Sequence, residues 1–108
     1  MLILFLYIAP PTAPRSLNAP VVSGISITLT WLPPDSTGGR SDLRYDVSYT
    51  DRTTMMTITH GTIVNNITLT SLTPLTNYTI SVEAVNGVSE QVGNSAERTI
   101  YINITTCK

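Results

Sequence analysis

One cysteine, one histidine and one lysine are all that the 108 residues contain, and each scarcity removes a class of function. Cys107 lies next to the C-terminus, so no disulfide can close within the chain. Its thiol is left to pair with another chain or a neighbouring domain, or it marks where a longer protein was cut. Any Ser-His-Asp or Cys-His arrangement would have to run through His60, which stands beside Gly61 where a turn is expected and reads as a solvated loop residue. A single histidine and a single cysteine are too few for a zinc site. The acidic loop starting at Asp35 fails as an EF-hand, because Arg40 stands where glycine is required and Asp46 where the bidentate glutamate belongs. Gly38-Gly39 lacks the lysine and the helix of a phosphate-binding loop. No metal and no cofactor are expected, and the chain reads as a non-enzyme.

Charge is scarce as well. Charged residues make up 12% of the chain and the net charge is −1, with the basic residues scattered at Arg15, Arg40, Arg44, Arg52, Arg98 and Lys108. Without a basic stripe there is nothing to hold a phosphate backbone, so nucleic acid is excluded as a partner. Long hydrophobic runs are also missing: residues 2–8, LILFLYI, are apolar but far too few to cross a bilayer. Followed by the small Ala9, they resemble a truncated signal-peptide core. No basic residue precedes them, however, and prolines 10, 11 and 14 crowd the cleavage positions. Residues 1–10 are therefore read as a linker or fragment start with weak signal-like character, and any membrane contact as coming through flanking sequence absent from this chain.

What the chain does have is alternation. The stretch APPTAPRSL reads as an extended linker leading into a first edge strand, since its prolines suit neither a helix nor a central strand. From Ile25 the apolar residues alternate as Ile25, Ile27, Leu29 and Trp31, the period of a half-buried strand, until Pro33 and Pro34 end it. Residues 35–42 gather Gly, Ser and Asp into a loop. Alternation resumes at Tyr45, Val47 and Tyr49, weakens at Met56 and Ile58, returns at Ile67 and Leu69, and is clearest at Tyr78, Ile80, Val82 and Ala84. Residues 86–96 read as a polar hairpin loop, and a last strand from about Arg98 to Thr105 turns Ile100, Ile102 and Ile104 one way. Seven short strands and no helix predict an all-β Greek-key sandwich of one domain, residues 11–106, large enough to bury its core without staples.

Trp31, Leu72 and Tyr78, set on these strands, resemble the signature of fibronectin type III domains. Leu72-Thr73-Pro74-Leu75-Thr76-Asn77-Tyr78 looks like the family's Leu-x-Pro-x-Thr-x-Tyr element, and the resemblance implies a tyrosine corner whose hydroxyl bonds back to the upstream backbone. Trp31 and Tyr78, by their phase, belong to the core and not to a ligand-stacking pair. A narrower resemblance, to the first fibronectin type III domain of Eph receptor tyrosine kinases, covers roughly nine tenths of the chain. It rests on PPTAPRSL, on the loop at residues 36–42, on NYT continuing into VEAVNGVS, and on the ending INITT. In one respect the chain departs from it: where the vertebrate domains commonly carry cysteines near the third strand, this sequence has Tyr49 and Thr50. No kinase motif is present, so any kinase activity would lie in a domain that this chain does not contain.

The resemblance implies a non-catalytic spacer and protein-interaction module on the extracellular side of a receptor, with a protein or the adjacent receptor domains as partner and a monomeric isolated domain. Asn66, Asn77 and Asn103 each begin an Asn-x-Thr sequon and are candidate N-glycosylation sites. Asn77 and Asn103 sit where the Eph resemblance often places sequons. The loops at residues 36–42 and 86–96 are expected at one end of the sandwich, where related modules bind partners, although solvated connections would look the same. No RGD tripeptide supports integrin-type adhesion. Two alternatives stay open: a free-standing secreted adhesion or matrix protein, which needs residues 2–8 to act as a signal, and an intracellular scaffold module of the muscle type, in which the sequons are accidental.

Overall fold

The computed structural model describes residues 9–93 and 95–108. The apolar stretch at residues 2–8, with its signal-like reading, lies outside the described residues. Seven strands form: β1 (Arg15–Val22), β2 (Ile27–Leu32), β3 (Arg44–Asp51), β4 (Thr57–Thr62), β5 (Asn66–Leu69), β6 (Asn77–Val85) and β7 (Thr99–Thr105). They make two antiparallel sheets, ordered β1-β2-β5 and β4-β3-β6-β7. The all-β sandwich read from the alternation is the observed architecture.

Alternation explains which side chains meet between the sheets. Ile27, Leu29 and Trp31 of β2 face Tyr45, Val47 and Tyr49 of β3 and Tyr78, Ile80, Val82 and Ala84 of β6, with Leu69 and Leu72 closing one end of the core. Ile100, Ile102 and Ile104 of β7 pack against this cluster from the side. Trp31 meets Tyr45 edge-on at 5.3 Å between ring centroids, and Tyr49 meets Tyr78 likewise at 6.3 Å, the geometry that aromatic quadrupoles favour. Strand β1 tolerates Pro20 because it is an edge strand whose register against β2 is broken by shifts on both sides of Asn18.

Three features differ from the sequence reading. Ile25 is not an inward strand residue but is 60% exposed. Ser23 Oγ accepts hydrogen bonds from the amides of Ile25 and Ser26, so a serine turn holds the backbone and the strand starts two residues later. His60 lies within β4 and not in a loop, opposite Val47, because the turn falls earlier, where Asp51 Oδ1 accepts from the amides of Thr53 and Thr54. Lastly, the β6–β7 connection contains a single helical turn, α1 (Ser89–Val92), and a 3-10 turn at Ala96–Arg98. No helix among the described residues is long and apolar enough to cross a membrane.

Candidate functional site

Among the described residues no group of three or more His, Cys, Asp or Glu side chains comes together as a metal site. His60 is exposed and stacks on Tyr49 at 5.8 Å, with the Tyr49 hydroxyl 3.4 Å from Nε2. Cys107 is an exposed free thiol. These residues are far from one another in the fold's logic: His60 rides on β4, and Cys107 follows β7, the opposite edge of the same sheet.

The four signature residues have structural placements. Trp31 and Leu72 are in the core. Leu72-Thr73-Pro74 leads into a corner in which the Thr73 amide donates to the Tyr78 hydroxyl at 2.9 Å and the Thr76 hydroxyl donates to the Pro74 carbonyl. Pro74 itself is exposed, and its part is to fix the chain direction before Leu75, which takes a left-handed backbone with φ 52°. Tyr78→Phe keeps the ring in the core and removes the acceptor, so it is expected to lower stability by about 1 kcal/mol. Denaturant titration measures this, and no loss at all would show that the hydroxyl bond is idle.

The loops at residues 36–42 and 86–96 do meet at one end of the sandwich, and Asn86 joins them. Its side-chain Nδ2 donates to the carbonyls of Ala9 at 2.7 Å and Thr37 at 3.0 Å, while Oδ1 accepts from the amides of Val88 and Ser89. The incoming segment is thereby tied to both loops, and the Ala9 amide returns a bond to the Gly38 carbonyl. Gly38 has to be glycine on two counts: its φ is +75°, and a Cβ there would lie 1.8 Å from the Ala9 oxygen. Beside this hub the Gly87 amide donates to Asp42 Oδ2 at 2.9 Å, and Arg44 at the start of β3 pairs with Glu90 of α1. The motif VEAVNGVS was read from the sequence without a role for Asn86. A polar residue ending a run of buried strand positions was the signal available.

The ionisation of the Asp42 carboxyl is clearly displaced downward. Arg40 donates to both its oxygens, at 2.8 and 2.9 Å, and with the Gly87 amide holds its pKa down to about 2. A folded pKa below the unfolded one gives stability that is present above about 3.9 and lost as the pH falls toward 2. An NMR titration is expected to find the Asp42 carboxyl half-protonated near pH 2, with the Gly87 amide shift following it. Arg40→Ala should return the midpoint toward the ordinary carboxylate range, and an ordinary midpoint in the unaltered chain would overturn the assignment.

A second polar pair was not found from sequence. Glu83 and Arg98, both buried, approach to 3.6 Å on the outer side of the four-stranded sheet, and Glu83 Oε2 also accepts from the Ser95 amide. Only the folding of the β6–β7 connection back over β6 brings them together, and no local spacing encodes that. The sequons separate into one and two. Asn66 opens β5 on the smaller sheet. Asn77 and Asn103 instead are diagonal neighbours on β6 and β7, with Asn77 opposite Thr105 and Thr79 opposite Asn103. All three asparagines are exposed.

Comparisons with known proteins agree with this geometry. The fibronectin type III domain profile matches residues 12–101. Ephrin type-A receptor 5 of Gallus gallus is 34% identical over 116 residues and ephrin type-B receptor 4a of Danio rerio is 36% identical over 112, each alignment covering 90% of the chain and 11% of the receptor. The chain thus spans about a tenth of the length of the curated relatives it matches. Among solved structures, domains d3-d4 of the rat CD45 extracellular region superpose with a TM-score of 0.74 at 17% identity, covering 92% of the chain and 51% of that structure. Titin domains A168-A170 give 0.65 at 29% identity over 73% of the chain and 27% of theirs.

Proposed function

The chain belongs to the fibronectin type III family, and on that premise we propose that it is a non-catalytic extracellular spacer and protein-interaction module of an Eph-like cell-surface receptor. The carrying observation is that the likeness to ephrin receptors extends over nine tenths of the chain at 34–36% identity. Support for the spacer role comes from the Asn86 hub. It fixes the incoming backbone at Ala9 to the two loops at that end, so whatever precedes the domain would leave from a held point and not from a free tether. The domain is taken to run from residue 11 to 106, both of which are buried. Its partners in this reading are the adjacent receptor domains or another protein, and the isolated domain is monomeric.

A second reading, as a scaffold module of the muscle type, draws on the titin likeness. That likeness covers less of the chain, at lower identity, than those to ephrin type-A receptor 5 and ephrin type-B receptor 4a. Glycosylation separates the two. In the receptor reading Asn77 and Asn103, exposed on the outer sheet face, can carry sugars without disturbing the core. Both are expected to be occupied when the chain is expressed through a secretory pathway, measured by mass spectrometry before and after glycosidase with Asn→Gln controls. Full secretion with neither site occupied would count against the extracellular assignment, whereas occupancy at one alone would leave it standing.

A further inference from the structure

Among the described residues strand β7 is a free edge: the order β4-β3-β6-β7 leaves it hydrogen-bonded to β6 alone. Its sequence, TIYINIT, has no charge, no proline and no glycine, the composition that most readily adds a further strand when an edge lies open. No bulge protects it, since its register with β6 runs unbroken from Asn77 opposite Thr105 to Glu83 opposite Thr99. What stands on its outward side is Tyr101, 60% exposed, and Asn103, the first residue of a sequon. Residues two apart on a strand share a face at a spacing of about 7 Å. An open hollow of about 380 Å³ adjoins them, lined by Arg52, Asn77, Thr79, Tyr101 and Asn103.

We infer that a glycan linked to Asn103 seats its first N-acetylglucosamine on the Tyr101 ring and so closes the β7 edge, an inference that rests on the extracellular reading above. Transfer joins Asn103 Nδ2 to the anomeric carbon of a lipid-diphosphate-linked oligosaccharide, with loss of one Nδ2 proton and departure of the lipid diphosphate. The side-chain oxygen is untouched by this. Thr79 Oγ1 already donates to Asn103 Oδ1 at 2.9 Å, so the amide is held by its oxygen while its nitrogen is the arm that takes the sugar. The C–H face of a pyranose is apolar and weakly positive, and it complements the negative face of the exposed phenol ring. Beyond Tyr101 a second hollow of about 280 Å³, lined by Asp46, Ser48, Ser81 and Thr99 among others, offers hydroxyl and carboxylate partners to the sugars that follow. A bulky, hydrated group at the middle of the edge strand then does what a lysine or proline does elsewhere.

The test uses the full chain secreted with Asn66→Gln and Asn77→Gln, so that Asn103 is the one sequon left, trimmed by endoglycosidase to a single N-acetylglucosamine. It is compared with the Asn103→Gln form, each with and without Tyr101→Ser. The sugar is expected to raise the denaturation midpoint when Tyr101 is present and to lose most of that increment with Tyr101→Ser. The N-acetyl methyl protons should shift upfield only beside the ring, and the forms lacking sugar should associate faster in a thioflavin assay. Equal midpoint increments with and without the ring would overturn the inference and leave the receptor reading untouched. Occupancy of the unaltered secreted chain separates the remaining outcomes: sugar at Asn77 but not Asn103 overturns this inference alone, and sugar at neither removes both.

Discussion

Leu72→Ala is expected to lower the unfolding free energy by about 2–5 kcal/mol, with the upper half of that range favoured by how firmly its surroundings are held. The side chain is 6% exposed and belongs to the single core cluster. A large-to-small change costs the lost transfer energy plus a cavity term, and the second shrinks only if neighbouring backbone can move in. Here it cannot readily do so. The Leu72 amide donates to the Ile25 carbonyl, the Thr73 amide to Tyr78, and the Thr73 carbonyl accepts from the Thr106 hydroxyl at 2.6 Å. On either side Ser71 and Leu75 take left-handed backbone, with φ 58° and 52°, conformations a relaxing chain would leave only by breaking those bonds. Guanidinium titration should show a lower midpoint with an unchanged slope. Leu72→Met, which conserves volume, should cost less than about 1.5 kcal/mol. An alanine effect no larger than that of Tyr78→Phe would mean that the leucine fills no essential space.

The corner around Leu72 was legible in the sequence because its signature lies within seven residues, Leu72 to Tyr78, and the spacing itself encodes the bond from Thr73 to Tyr78, whereas the bonds to Ile25 and Thr106 left no such mark. The strands were legible for a similar reason: a residue's side of the sheet follows from its parity, and β2, β3 and β6 each bury the alternating residues read from the chain. Ile25 misled because hydrophobic period alone ignores the serine turn that claims its backbone. Strand β4 was weak in the sequence because most of its residues are exposed, so no buried face imposes a period on it. The Asn86 hub and the Glu83–Arg98 pair escaped for another reason. Their partners lie far off in sequence, Ala9 and Thr37 in one case and the folded-back loop in the other, and side-chain bonds to backbone carbonyls leave no trace in the identity of the residue that supplies the carbonyl. The three sequons could be found, but the diagonal arrangement of two of them on adjacent strands required the β6–β7 register.

Asn86→Asp should be tolerated near pH 3 and lose stability steadily as the pH rises, the reverse of the behaviour expected of Asp42. The substitution is nearly isosteric, and the side chain it enters is 0% exposed. On one side nothing changes: an oxygen still accepts from the amides of Val88 and Ser89. On the other side an amide that donated to two carbonyls, Ala9 and Thr37, becomes an oxygen facing them. A protonated carboxyl can restore one of those bonds, so at low pH the loss is about 1 kcal/mol. A carboxylate restores neither and is buried against two carbonyl dipoles, which raises its folded pKa above the unfolded value of about 3.9. Between those two values the native state binds more protons than the unfolded state, so stability falls with rising pH across that window and levels off above the folded pKa. An elevation of about 2–3 units corresponds to about 3–4 kcal/mol, a large part of the stability of a domain this size. Urea midpoints from pH 3 to 8 measure the slope, with Asn86→Ala as the control that lacks a titrating group and should lose stability without this pH dependence. Hydrogen exchange at the Ala9 amide, bonded to Gly38 in the parent chain, should lose protection over the same range, because the strap and the loops are held by one side chain. An aspartate variant as stable as the unaltered chain at every pH would show that the two carbonyls do not depend on the amide, and with it the held point from which the spacer role was argued would be gone.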